Sequence, residues 1–256
     1  MSDFLTKIDA RPPHWAGEVI LSWDAEKLYK YRDFVRHSYW TDRGSINVFC
    51  VKGTDHPDYQ GLSWQAFLHK GKRMDINIPM MERNPDYYLG TEAKKPGMYY
   101  NSYNGLDWYV GSDGNHRTGL ARFLFYERQL THLHGVTLNH YVFDDELLAT
   151  YCAIQTEVRR QPEAGYHWEL TSGTQHVSRE DTAGWKTDHF MPFFTLKLAF
   201  VNVGFPPEWQ GASNIMHAAQ GKEVLRLLEG LRAKSRPLAE KTTRSLLHRL
   251  FNRGAE

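Results

Sequence analysis

Residues 97–128 constrain this chain more than any other stretch. Asn104-Gly105 lies between two aromatic runs, and both residues tolerate the positive φ that a tight hairpin turn demands. The second arm, "LDWYV", runs straight into "GSDGNHR", and the segment "RTGLARFLFYERQL" follows. That segment is apolar around most of its circumference, as a buried helix is. The order is hairpin, glycine turn, buried helix. It gathers Asp113, His116 and Arg117 at the start of the helix.

The flanking sequence supplies elements around this unit. Residues 22–40 read as a helix with Ser22 or Asp24 as N-cap. Residues 45–53 read as a strand, and 62–71 as a short helix closed by Gly71. "MDINIPM" (74–80) alternates polar and apolar residues and predicts a strand ending near Pro79. Residues 135–143 predict a strand. "DDELLATYCAIQTEV" predicts a helix opened by acids that suit its N-terminus. Residues 163–190 are polar and carry glycines, which reads as loop with short strands. Residues 193–204 read as a strand or another buried element, and Pro206-Pro207 then punctuates the chain.

The glycine turn has a definite chemistry. The first amides of a helix lack intrahelical partners and carry the positive end of its dipole. Glycines let such amides converge on an anion, for which phosphate is the natural guest. Gly111, Ser112, Gly114, Asn115 and Thr118 would line that cradle. Arg117 would add a forked cation, and His116 a hydrogen bond or a proton near neutral pH. Asp113 suits a Mg²⁺ ligand, a base toward water, or an orienter of His116. The same acid and amide also fit a plain helix N-cap, with Arg117 paired to a surface acid.

"GLDWYVGSDGNHRTGLARFLF" resembles the signature of the ParB/sulfiredoxin superfamily, in which a strand leads into Gly-x-His-Arg and a helix. The resemblance spans roughly residues 60–145, with Gly114, His116 and Arg117 on the motif and Asn115 in its variable position. It implies an α+β fold: a mixed sheet with flanking helices that binds a nucleotide through the turn. Aromatic-rich insertions and a helical C-terminal extension lie outside the shared pattern. The domain would then be residues 1–205, with 206–256 as the extension. Sulfiredoxin chemistry needs a cysteine where Asn115 stands. Asp-Gly-x-His-Arg is nearest to the ParB-like nuclease branch, which includes plasmid fertility-inhibition proteins of the Osa type. That branch implies ATP (or another nucleotide) and Mg²⁺, hydrolysis of ATP or cleavage of DNA, and a partner in a DNA-transfer or partition machinery. A non-catalytic DNA- or protein-binding regulator on the same fold stays open, as does a small-molecule kinase of the free-serine type.

Composition narrows the setting. Two cysteines, Cys50 and Cys152, argue against a disulfide scaffold or a thiolate metal cage. The N-terminal residues lack a basic-then-apolar signal pattern, and the run 193–205 is too short to span a membrane, so a cytoplasmic protein is expected. From residue 221 onward stand nine Lys or Arg against four Glu, a basic appendage on a mildly acidic body. Val224, Leu227, Leu228 and Leu231 have helical spacing there, and beyond Pro237 Lys241, Arg244 and His248 share a face with Arg249 at its edge. Such a stripe suits a DNA phosphate backbone, and equally a solvated helix face. Trp and Tyr are numerous, a supply of rings for stacking on bases or for an ordinary core. Other residues are weaker candidates. His132, His134 and His140, with Asp144 and Asp145 beyond, could pair on a metal or form a polar strand face. Glu82 and Arg83 fit a pocket rim or a charged loop, and "TDHPDYQG" (54–61) reads as a surface turn.

Overall fold

A computed structural model describes residues 3–159, 166–200, 213–217 and 225–226. The architecture is α+β. The expected boundary at residue 205 and the basic residues Lys241, Arg244 and Arg249 lie outside the described residues. Contacts divide the chain into two units, Met1–Phe143 with His176–Phe190, and Asp144–Gln175 with Met191–Glu256.

The first unit opens with α1 (Asp3–Ala10), β1 (Leu21–Ser22) and α2 (Ala25–Tyr31), the last capped by Asp24, whose carboxylate accepts from Lys27 N at 3.0 Å. The helix expected over 22–40 stops early. A single 3-10 turn follows, and Val35 begins β2 (Val35–Asn47). Phe34 and Val35 are buried, and the β-branched and aromatic residues that follow pair across strands, so pairing overrides the short helical signal. A 3-10 turn at Val48–Cys50 separates β2 from β3 (Val51–Thr54). Next come α3 (Trp64–Lys70), α4 (Met74–Arg83), α5 (Asp86–Leu89), β4 (Tyr99–Ser102), β5 (Trp108–Val110), α6 (Asn115–Arg128) and β6 (His132–Phe143).

Two expectations hold and one fails in this region. Ser63 Oγ caps α3 by accepting from Ala66 N at 3.1 Å, and Gly71 closes it. The hairpin forms, β4 turning back antiparallel onto β5, but through residues 103–107 rather than a tight two-residue turn: Gly105 takes a positive φ of 71° and Asn104 does not. The strand predicted at 74–80 is instead α4. A strand would have placed Ile76, Ile78 and Met80 on one face, yet Ile76 and Met80 are each 54 % exposed. The buried residues are Met74, Ile78 and Met81, a helical stripe, and burying that stripe outweighs Pro79 inside the helix.

The sheet runs β1-β3-β5-β4-β6-β2, followed by the Lys186–His189 part of β8 (Lys186–Phe200) and then β7 (Tyr166–Asp181). β1, β3 and β5 are parallel neighbours, as are β4 and β6. The other pairs are antiparallel where the register is given, so the sheet is mixed. Residues 163–190, expected to be mostly loop, contribute two long strands closed by a turn at Thr182–Trp185, where Gly184 takes a positive φ of 99°. The β7 residues from 174 to 181 are exposed and Lys186–Phe190 of β8 are only partly buried, so no fully buried face wrote an apolar alternation into the sequence.

One row of the sheet lies under the helices: Thr41, Leu138, Tyr100, Val110 and Thr54 pair in register across β2, β6, β4, β5 and β3, and all are buried. α6 is the central helix. Every residue from Thr118 to Phe125 is buried, and Gly119 lets it approach α3, since a Cβ there would lie 2.8 Å from the Phe67 ring. Arg122 is buried with them, its guanidinium 4.6 Å from the Trp15 ring and 4.2 Å from the Trp64 ring. Its Nη1 donates to the carbonyls of Val48 at 3.1 Å and Val51 at 2.5 Å, on both sides of the 3-10 turn between β2 and β3. Burial pushes this group down to about 10, so it stays charged at neutral pH.

In the second unit, Asp144 caps α7 (Asp145–Arg159) by accepting from Leu147 N at 3.0 Å, and the acids opening α7 fit the sequence expectation. Tyr151 of α7 packs on Phe194 of β8, and β9 (Ser213–His217) pairs antiparallel with Thr195–Ala199.

Arg122→Met should fill the space between the two indoles but strip the guanidinium from the Val51 carbonyl, while the Val48 carbonyl keeps the amide of Val51. A buried carbonyl that loses its donor costs about 1–3 kcal/mol, so the urea midpoint should fall by that equivalent with little change in m. A variant as stable as wild type would show that the Val51 carbonyl does not need the guanidinium.

Candidate functional site

The turn is held from three sides. From β4, Tyr99 N donates to Asp113 O at 3.2 Å and Tyr99 O accepts from Gly111 N at 2.8 Å. From β3, Thr54 Oγ1 donates to Asn115 Oδ1 at 2.6 Å. From below, Thr118 Oγ1 donates to Gly114 O at 2.8 Å and lies 2.7 Å from the Tyr100 hydroxyl. Gly114 has a φ of 115°, and a Cβ there would sit 3.2 Å from Met98 Cβ, so both conformation and space call for glycine.

Within the turn, Asp113 Oδ1 accepts from Gly114 N at 2.6 Å and Oδ2 lies 2.9 Å from Arg117 Nη2. Thr118 N, bonded to Gly114 O at 2.8 Å, is the first amide of α6 to find an intrahelical acceptor. The amides of Asn115, His116 and Arg117 precede it and open at the head of the helix. The Ser112 side is exposed, and Gly111 and Gly114 are bare backbone.

The sequence-derived residues are thus brought together, with different roles. Thr118 is fully buried and spends its hydroxyl on Gly114 and Tyr100, so it supports the turn and does not face a ligand. Arg117 is committed as well. Besides Asp113, it donates to the Tyr87 hydroxyl at 2.7 Å, to the Pro96 carbonyl, and to the Gly97 carbonyl at 2.9 Å. Burial works against its charge, but the Tyr87 and Asp113 bonds hold the guanidinium above its ordinary range. It ties the segment 87–97 to α6. Asn115 keeps its amide NH₂ outside the bond to Thr54.

His116 sits in a half-buried aromatic niche. Phe67 stacks on it at 5.7 Å, and the Tyr59 hydroxyl lies 3.2 Å from Nε2. His56 stacks on Tyr59 at 4.4 Å. Burial, with His56 next and Arg73 and Arg117 also near, holds the imidazole below its ordinary value, while Asp113 pulls the other way. His116 is therefore neutral at pH 7. The Tyr59 hydroxyl and Nε2 share one hydrogen bond, which places the ring proton on Nδ1 if the hydroxyl donates and on Nε2 if the imidazole does. Sequence reading missed Tyr59, His56 and Thr54, because "TDHPDYQG" carries the Pro and Gly of a surface turn. Only the parallel pairing of β3 with β5 sets it beside "GSDGNHR".

The second-tier residues lie elsewhere. Glu82 Oε1 accepts from Phe4 N at 3.0 Å, and Arg83 Nε donates to Pro79 O at 3.2 Å. His132 and His134 stack at 6.5 Å, and His140 stacks on Tyr39. Among the described residues, no three His, Cys, Asp or Glu side chains gather as metal ligands, and no helix is long and apolar enough to cross a membrane.

Arg117→Ala should free Tyr87, Pro96 and Gly97. Hydrogen exchange across 87–97 should speed up, and stability should fall by roughly 1.5–3 kcal/mol, as for bonds to a charged group. Unchanged exchange there would show that Arg117 does not hold the segment. The depressed His116 also makes a pH prediction. Its folded pKa lies below the ordinary 6.5, so the unfolded chain takes up the proton first as pH falls. The stability that its neutral form supplies is complete above about 6.5 and is lost as pH drops through the folded value. His116→Gln should flatten the acid limb of a urea-midpoint profile, and His37 and His140, also lowered by burial, should keep part of the slope.

Compared with protein-family models, curated proteins and solved structures, the chain matches none.

Proposed function

We propose that the glycine turn at the head of α6 binds a phosphate group of a nucleotide. The observation that carries this reading is the open amide run of Asn115, His116 and Arg117, beside a neutral His116 held by Tyr59. The amides supply the positive end of the helix dipole, and His116 supplies one ring donor or acceptor. The resemblance to the ParB/sulfiredoxin superfamily supports ATP or a related nucleotide as the guest. It also supports DNA transfer or maintenance on a plasmid as the setting, and DNA as a second ligand.

As an enzyme, the protein would hydrolyse a phosphoanhydride or phosphodiester. The turn amides would stabilise charge developing on the phosphate, and His116 would move a proton at its ring nitrogen. Asp113 does not make a Mg²⁺ site alone, since its two oxygens already hold Gly114 N and Arg117. A cation there would have to arrive on the ligand's phosphates, as Mg²⁺ commonly does.

One observation favours a second reading, nucleotide or DNA binding without cleavage. Arg117, the cation expected to face the phosphate, is spent on Asp113, Tyr87, Pro96 and Gly97. Calorimetric titration with ATP, ADP, CTP and GTP, followed by assays of phosphate release and of DNA cleavage with Mg²⁺ or Mn²⁺, separates the two. We expect one nucleotide to bind and His116→Ala to weaken or abolish turnover. Binding with no turnover and intact DNA selects the non-catalytic reading. No binding of any nucleotide by the wild type ends both. Truncation after Pro207 should weaken DNA binding and flatten its salt dependence if the basic stripe contacts phosphates.

A further inference from the structure

The sheet has a second row, one residue out of step with the buried one. Lys186 pairs with Trp40, Trp40 with Asn139, Asn139 with Asn101, and Asn101 with Tyr109, in unbroken register across β8, β2, β6, β4 and β5. Beyond Tyr109 the row ends on Gly53, bare backbone. Successive rows alternate between faces, so these side chains stand opposite the face that packs under α6. All five are partly exposed.

Their chemistry is not that of an ordinary solvated strand face, which carries Thr, Lys and Glu. Two aromatic rings flank two amides, and Asn139 Nδ2 donates to Asn101 Oδ1 at 3.3 Å, leaving amide donors and acceptors outward. One end of the row is cationic: Lys186 Nζ lies 4.4 Å and Arg179 5.0 Å from the Trp40 ring. Of the nearby acids, Asp188 is held by the Trp40 indole at 3.1 Å and by His176, and Asp181 is paired with Arg179. Asn101, next to the other end, lies beside the start of the glycine turn, since a Cβ on Gly111 would lie 2.9 Å from Asn101 Nδ2. Four strand spacings of about 4.8 Å make the row roughly 19 Å long, enough for a few nucleotides.

We infer that this row is a docking surface for single-stranded nucleic acid. The cations at one end match a polyanion, and the uncharged rings and amides beyond them match bases. Trp40 and Tyr109 stack bases, Asn101 and Asn139 bond to base edges, and Lys186 meets the backbone. The inference rests on the nucleic-acid part of the proposed function and is independent of the phosphate turn.

The test is fluorescence anisotropy of the full chain with labelled oligothymidine, its RNA counterpart and a duplex competitor. Wild type should bind the single strands better than the duplex. Trp40→Ala and Asn139→Asp should each weaken binding about tenfold, the scale of one lost stack, while Trp40→Phe recovers most of it. Asn139→Asp conserves shape, and circular dichroism identifies any variant that fails to fold. No single-strand binding by wild type, preference for the duplex, or affinity unchanged in every folded variant overturns the inference. ATP titration of the same variants keeps the two readings apart. Wild type that binds the oligonucleotide but no nucleotide sinks the turn reading alone, and wild type that binds ATP but no oligonucleotide sinks this one alone.

Discussion

A guanidinium buried between two indoles organises the first unit. Arg122 could not stay charged there without partners, because desolvating a cation costs several kcal/mol. Two backbone carbonyls and the faces of Trp15 and Trp64 meet that cost. In return, one side chain joins the central helix to the 3-10 turn between β2 and β3 and to the segments carrying the two tryptophans. The turn at the other end of α6 inherits this rigidity. β3 is held by Val51, and three residues later Thr54 grips Asn115.

The glycine turn divides its residues between construction and display. Thr118, Gly114 and the Tyr99 backbone build it, and Arg117 extends the construction by clamping the segment 87–97. What remains on display is a run of amides, the Asn115 amide and a neutral imidazole. Under the proposed function such a surface would bind an anion through dipoles and hydrogen bonds, with little net charge of its own. A nucleotide pocket of this kind would discriminate by geometry more than by Coulomb attraction.

Legibility in the sequence tracked how local the cause was. The Asn104-Gly105 hairpin, the short helix closed by Gly71, and the apolar run of α6 are decided within a few residues, and each was readable. α4 was not, because "MDINIPM" satisfies two periodicities over a short window and only the pocket that takes Met74, Ile78 and Met81 chooses between them. β7 was hidden for another reason: a strand with mostly exposed side chains leaves no hydrophobic alternation to read, whereas the Phe193–Phe200 part of β8 falls in the run read as a strand or buried element. Of the candidate site, Gly114, Asn115 and His116 stand where the motif put them. Tyr59 and Thr54 come from a stretch read as a surface turn and arrive only through the β3–β5 pairing.

The sequence by itself determined that a hairpin feeds a glycine turn and a buried helix, and that ionisable groups crowd the helix start. Those features depend on φ preferences and helical periodicity, which act over a turn or two of chain. Tertiary structure alone decided that Arg117 faces the carbonyls of Pro96 and Gly97, that Tyr59 meets His116, and that Trp40, Asn139, Asn101 and Tyr109 share one row. These depend on strand register and on which buried donor finds which acceptor, choices made between residues tens of positions apart.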